Sequence, residues 1–159
     1  MALLRVTTPP KGEPSMRMMM LLLAATVAAA PAIAADPIAE RQAIMKQNGK
    51  DTKALVGYMK GETPYDAAAV TALFTSMNAG AKAFGTKFPP TSKTGGKTEA
   101  APAIWEKPAD FKAAVAKFQT DTGAAAAARP ASLDAMKPLF GQVTANCKSC
   151  HEAFRVKEQ

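Results

Sequence analysis

SLDAMKPLFGQVTANCKSCHEAFRVK, residues 132–157, decides the reading of this chain. Ser132 is a good N-cap, and the stretch predicts one helix from Ser132 to about Lys157. Pro138 either kinks that helix or marks its true beginning. Within it, Cys147, Cys150 and His151 stand at i, i+3 and i+4. On a helix those positions share one face, so two thiols and an imidazole point into the same groove.

Upstream, strand signals are nearly absent: β-branched residues are sparse, Ala dominates, and apolar positions recur at helical spacing. A first helix is predicted from Asp36 as N-cap with Pro37 at its first position, carrying Ile38, Met45, Leu55, Val56 and Met59 on one stripe and ended by Gly61. A second is predicted to start at Thr63-Pro64-Tyr65-Asp66, with Thr63 as cap and Pro64 setting the first turn, and to carry Val70, Leu73, Phe74, Met77 and Phe84. Residues 85–102, with Pro89, Pro90, Gly95 and Gly96, read as a long crossover loop holding little that can be buried. A third helix is expected from about Pro108 to about Ala128, with Phe111, Val115 and Phe118 on one face and Arg129-Pro130 closing it. The fold class is therefore all-α, an antiparallel up-down-up-down four-helix bundle.

The first residues are of another kind. MMMLLLAATVAAA at 18–30 follows Arg17 and precedes Ala32-Ile33-Ala34, the pattern of a secretory signal peptide cleaved after Ala34. The run is too short to cross a bilayer, which takes roughly 20 apolar residues. Residues 1–15 read as an extension upstream of a start at Met16. The expected division is 1–34 extension and signal, 35–159 a single domain with one core. Residues 35–159 carry 17 basic and 12 acidic side chains, a net charge of +5. The excess is spread along the chain and forms no basic run, so nucleic acid is not an expected partner, and no membrane contact is expected after signal cleavage.

Cys147-Lys148-Ser149-Cys150-His151 is the motif of covalent haem attachment. Two sulfurs on one face form thioethers with the haem vinyl groups while the imidazole of His151 binds the iron from one side. Export places the chain in the compartment where this attachment is made. A thioredoxin-like or structural disulfide would need a βαβ context that is lacking. A zinc site would need a fourth ligand from a chain with one histidine and two cysteines. Chance occurrence would leave two free thiols in an oxidising compartment.

With these residues in view, the chain resembles the cytochrome c′ family, the class II c-type cytochromes. The resemblance runs over the whole of 35–159: Arg41-Gln42-Ala43-Ile44-Met45-Lys46 near the start, Ala103-Ile104-Trp105 after the crossover, and CKSCHEAFR at 147–155. A haem motif this close to the C-terminal end is what points to class II, and it implies a four-helix bundle with one haem c between the helices. In this family some members leave the distal side of the iron open behind an apolar residue of the first helix, and a low-spin branch places a methionine there. Met45 holds that position, four residues after Arg41, and resembles the methionine-ligated branch, although methionine also fills cores at such places.

The other methionines are excluded by distance. Met136 is 15 residues from His151 on one helix, about 22 Å away, and Met59 is 14 residues from Met45, about 21 Å. Met77 reads as core. Arg41 and Arg155 are candidates to pair with haem propionates, Arg155 because it emerges on the face of His151 four residues on; the competing reading is solvated surface arginine. Trp105 is placed either beside the haem or in the plain core. The expected function is a periplasmic electron carrier with His/Met ligation, serving redox partner proteins as a monomer or homodimer. The alternative is a pentacoordinate binder of nitric oxide or carbon monoxide. No conventional catalytic constellation remains once His151 is an iron ligand, so the chain is not expected to be an enzyme.

Overall fold

A computed structural model describes residues 36–156. The signal segment, its cleavage after Ala34, and Lys157 at the expected end of the last helix lie outside the described residues. The first long helix, α1 (Pro37–Met59), opens as its sequence predicts. Asp36 is extended and its carboxylate accepts the Ile38 N–H at 2.9 Å, with Pro37 at a position whose N–H would have no helical partner.

The second long helix, α2 (Ala67–Phe84), departs from expectation at its start. Asp66, not Thr63, is the cap: its Oδ1 accepts from the amides of Ala68 and Ala69 at 2.9 and 3.0 Å. A carboxylate both satisfies two orphan donors and opposes the positive end of the helix dipole, which a hydroxyl does less well. Pro64 therefore lies outside the helix.

Three further helices follow: the short α3 (Ala103–Glu106), then α4 (Pro108–Ala128) and α5 (Leu133–Phe154). The sequence carried no sign of α3. Arg129 ends α4 in the left-handed region at φ 43°. Ser132 caps α5 through the Ala135 amide at 3.3 Å, so the helix begins at Leu133 and Pro138 lies inside it. The four long helices form the up-down-up-down bundle, with α2 packed on α1 and α4, and α4 on α5. Between α1 and α5 contact is sparse, and that gap is where the site opens.

Two apolar clusters result. One joins Leu55 of α1, Val70, Phe74 and Met77 of α2, Ala125 of α4, and Met136 and Val143 of α5. The other joins Ile104, Phe111, Val115 and Phe154, with Phe84 and Phe88 packed against them. Phe88 and the buried Ser92 correct the expectation that the crossover holds little to bury. That segment carries a short 3-10 turn, Pro90–Ser92, and threads back through an aromatic network centred on Phe88 and Phe111, 4.7 Å apart between centroids.

α4 and α5 are also tied by a buried carboxylate. Asp121, 6% exposed, accepts from Asn146 at 2.7 Å, Gln142 at 2.8 Å and Lys117 at 2.5 Å. Burial pushes its pKa up, but the three hydrogen bonds and the Lys117 charge outweigh that and hold it below the ordinary carboxylate value. A depressed folded pKa contributes stability above the unfolded value near 4, and that stability is lost as pH falls through the folded value. Asp121→Asn should accordingly cost about 1–3 kcal/mol at pH 7. Urea midpoints at pH 7 and in the acid range should show the gap between variant and parent closing on acidification.

Candidate haem site

The gap is a cleft of about 500 Å³, within the range of cofactor pockets. Its walls are mainly apolar: Phe84, Phe88, Ile104, Phe111, Val115 and Phe154 all line it. From α5, Cys147, Cys150 and His151 line it together, as i, i+3, i+4 spacing demands. From α1 come Arg41, Met45 and Asn48. Met77 and Met136 are fully buried in the other cluster and Met59 packs against it, so Met45 is the one methionine of the described residues in the cleft lining.

The chemistry of the donors suits a flat apolar cofactor with a metal at its centre. Both thiols are unbridged and half-buried, and burial raises their pKa values, with the neighbouring Cys147 adding to the rise at Cys150. That favours the neutral thiols over the thiolates of a metal site. Burial, then the Arg155 charge, lowers the His151 pKa against a smaller opposing pull from Glu99. That favours the neutral imidazole, the form that ligates a metal. Among the described residues no cluster of three or more His, Cys, Asp or Glu could hold a metal ion unaided.

Arg41 is not a solvated arginine. It is 4% exposed, and its two terminal nitrogens donate to the Lys87 carbonyl at 3.2 Å, to Ser92 Oγ and the Ser92 carbonyl at 2.9 Å each, and to Thr98 Oγ1. Its guanidinium also lies over the Phe88 ring at 4.8 Å. Desolvation lowers its pKa, partly offset by Asp36. Gln42 adds bonds to the carbonyls of Gly96 and Lys97 at 3.3 and 3.2 Å. Gly96 has φ 53°, and a Cβ there would meet Ile38 Cγ2 at 3.1 Å, so only glycine lets the loop lie this close to α1. Arg41 thus clamps the crossover onto α1, a role its position in sequence did not disclose.

The other end of the loop is fastened to α5. Arg155 Nε donates to Glu99 Oε2 at 2.6 Å, the Ala101 amide to the Phe154 carbonyl at 3.0 Å, and the Val156 amide to the Glu99 carbonyl at 2.8 Å. Arg155 lines the cleft, as its spacing from His151 implied. Trp105 is not in the cleft lining. Its indole N–H donates to the Phe88 carbonyl at 3.1 Å and its ring stands edge-on to Phe88 at 6.2 Å, one layer behind the wall. Sequence reasoning missed Asn48, Phe88, Thr98, Glu99 and Asn146. Asn48 alone carried a legible signal, its place one turn after Met45.

A helical bundle with two thiols and an imidazole on one helix face, opening on an apolar cleft, defines a c-type cytochrome. The family model described as Cytochrome C′ matches residues 36–155. The chain is similar to cytochrome c-556 of Agrobacterium fabrum, 42% identical over 125 residues that cover 79% of this chain and 84% of that one. It is also similar to the solved cytochrome c′ of Rhodopseudomonas palustris, 40% identical, TM-score 0.74, covering 78% of this chain and 98% of that one. A nitric oxide complex of a variant of cytochrome c prime from Alcaligenes xylosoxidans aligns at 31% identity and TM-score 0.70, covering 77% and 95%. The chain belongs to the cytochrome c′ family. Haem c is its cofactor, attached covalently through Cys147 and Cys150.

Proposed function

We propose that this cytochrome is a periplasmic electron carrier whose iron is held by His151 from α5 and Met45 from α1. The observation that carries the reading is that α1 brings Met45, and no other methionine of the described residues, to the cleft that His151 also lines. Haem supplies a one-electron iron couple, and a methionine–histidine pair of ligands raises its potential. Apolar walls around the iron would keep water sparse near it and so limit solvent reorganisation on electron transfer. Arg41 and Arg155 both line the cleft and supply the positive charge that haem carboxylates would pair with. The net positive charge of residues 35–159 favours encounter with acidic redox proteins. No described helix is long and apolar enough to cross a membrane, in keeping with a protein released after signal cleavage, as a monomer or homodimer.

The competing reading is a binder of small gases with an open sixth position, favoured by the nitric oxide complex of the relative solved from Alcaligenes xylosoxidans. Met45→Ala separates the two. The ferric parent should be low-spin with the weak near-infrared band of methionine-ligated haem. Met45→Ala should be high-spin, and its ferrous form should bind carbon monoxide readily. Met59→Ala, which removes a side chain packed on the other cluster, should change stability and leave the spin state alone. A parent already high-spin and quick to bind carbon monoxide would overturn the ligand assignment.

A further inference from the structure

Asn48 stands one turn beyond Met45 on α1, is 8% exposed, and lines the cleft. Its side-chain amide has no hydrogen-bond partner among the described residues. No side-chain nitrogen or oxygen that is wholly shut away lacks a partner among those residues, so the unpaired amide of Asn48 keeps exposed surface in a residue that lines the cleft. A Cβ at Gly80 would come 3.2 Å from Asn48 Oδ1. The carbonyl end of the amide therefore abuts α2, which leaves the amine end for the cleft.

The other amides of the lining are spent. Asn146 donates to Asp121 and to the Gln142 carbonyl, and Gln42 donates to Gly96 and Lys97. A buried amide with unused donors costs free energy unless something in the cleft accepts from it. Haem carboxylates would be drawn to the charged groups of the cleft, away from Asn48. The charged end of the cleft is where Arg41, Thr98, Glu99 and Arg155 meet, and Asn48 lies seven residues from Arg41 along α1, about 10 Å away. What lies within reach is the region beside Met45.

We infer that Asn48 is the hydrogen-bond donor to a diatomic or water-sized molecule taken up on the Met45 side of the haem. This rests on His151 holding the iron from the α5 side. The occupant it selects is a small molecule whose outer atom accepts a hydrogen bond, admitted when the Met45 thioether is off the iron. Asn48 thus gives the cleft a polar preference that its apolar walls lack.

The test uses the haem-loaded ferrous protein with carbon monoxide as probe and the infrared C–O stretch as readout. A donor at the outer atom weakens the C–O bond and lowers its stretch. Asn48→Leu and the smaller Asn48→Ala, each made in the Met45→Ala background, should raise the stretch. Both should also release carbon monoxide about three- to tenfold faster than Met45→Ala alone. Variants that melt with their parent and show an unmoved stretch would overturn the proposal. So would an unmoved stretch with a changed pH dependence of the reduction potential, which would assign Asn48 to a haem carboxylate. If Met45→Ala proves spectrally identical to the parent, the axial-ligand reading fails, and the Asn48 comparison is then made directly in the Met45 protein.

Discussion

Replacing both Cys147 and Cys150 with Ala should abolish covalent haem entirely: acidified organic solvent should extract all haem from the double variant and none from the parent. The reason is chemical. With both thiols gone, the imidazole of His151 and contacts with the cleft walls are what still hold the cofactor, and both fail when the protein unfolds in acid. Intact mass should show the parent chain, beginning near Ala35, plus one haem, and the double variant without that increment. Each single variant keeps one thioether and should keep its haem through extraction. Stability should fall in the double variant as well, because a group held only by the native state adds to the stability of that state. The cluster around Leu55, Phe74 and Met136 does not line the cleft, so far-ultraviolet circular dichroism should retain much of the helix signal. Haem extracted from the parent would refute the attachment.

The second large effect is expected at Arg41. Arg41→Ala removes four hydrogen bonds at once and takes the guanidinium from the Lys87 and Ser92 carbonyls, while the Ser92 hydroxyl keeps its bond to the Pro89 carbonyl and Thr98 Oγ1 its bond from the Ala100 amide. Hydrogen bonds to a charged group are each worth more than neutral ones, but bonds from one guanidinium are not additive, so the loss should be about 3 kcal/mol. In a domain of this size that lowers Tm by about 10 °C. Arg41→Lys should recover little of it, since a lysine ammonium cannot span the loop as a planar fork does. Limited proteolysis should locate the damage between Lys87 and Thr98. A lysine variant as stable as the parent would show that charge alone matters and that the fork does not.

Much of this site was legible in residue order. The haem motif is local: three side chains on one helix face, set by the helical repeat alone. The caps at Asp36 and Ser132, the bounds of α4 and the rejection of Met136 rest on the same short-range geometry. Thr63 against Asp66 went the other way because two polar candidates three residues apart compete for one helix end, and the choice falls to whichever side chain reaches two amides.

Residue order settles the class of fold and the attachment of the cofactor, because helical periodicity and the spacing of Cys147, Cys150 and His151 act over a few residues. Tertiary structure alone decided what surrounds them. Arg41 became a clamp because Ser92 and Thr98, 51 and 57 positions away, fold back onto it. Trp105 fell behind Phe88 because the crossover turns inward, and Asn48 sets its carbonyl against the neighbouring α2 because Gly80 there has no side chain to displace it. A side chain's partners are set by which distant segment packs over it, and no local spacing encodes that.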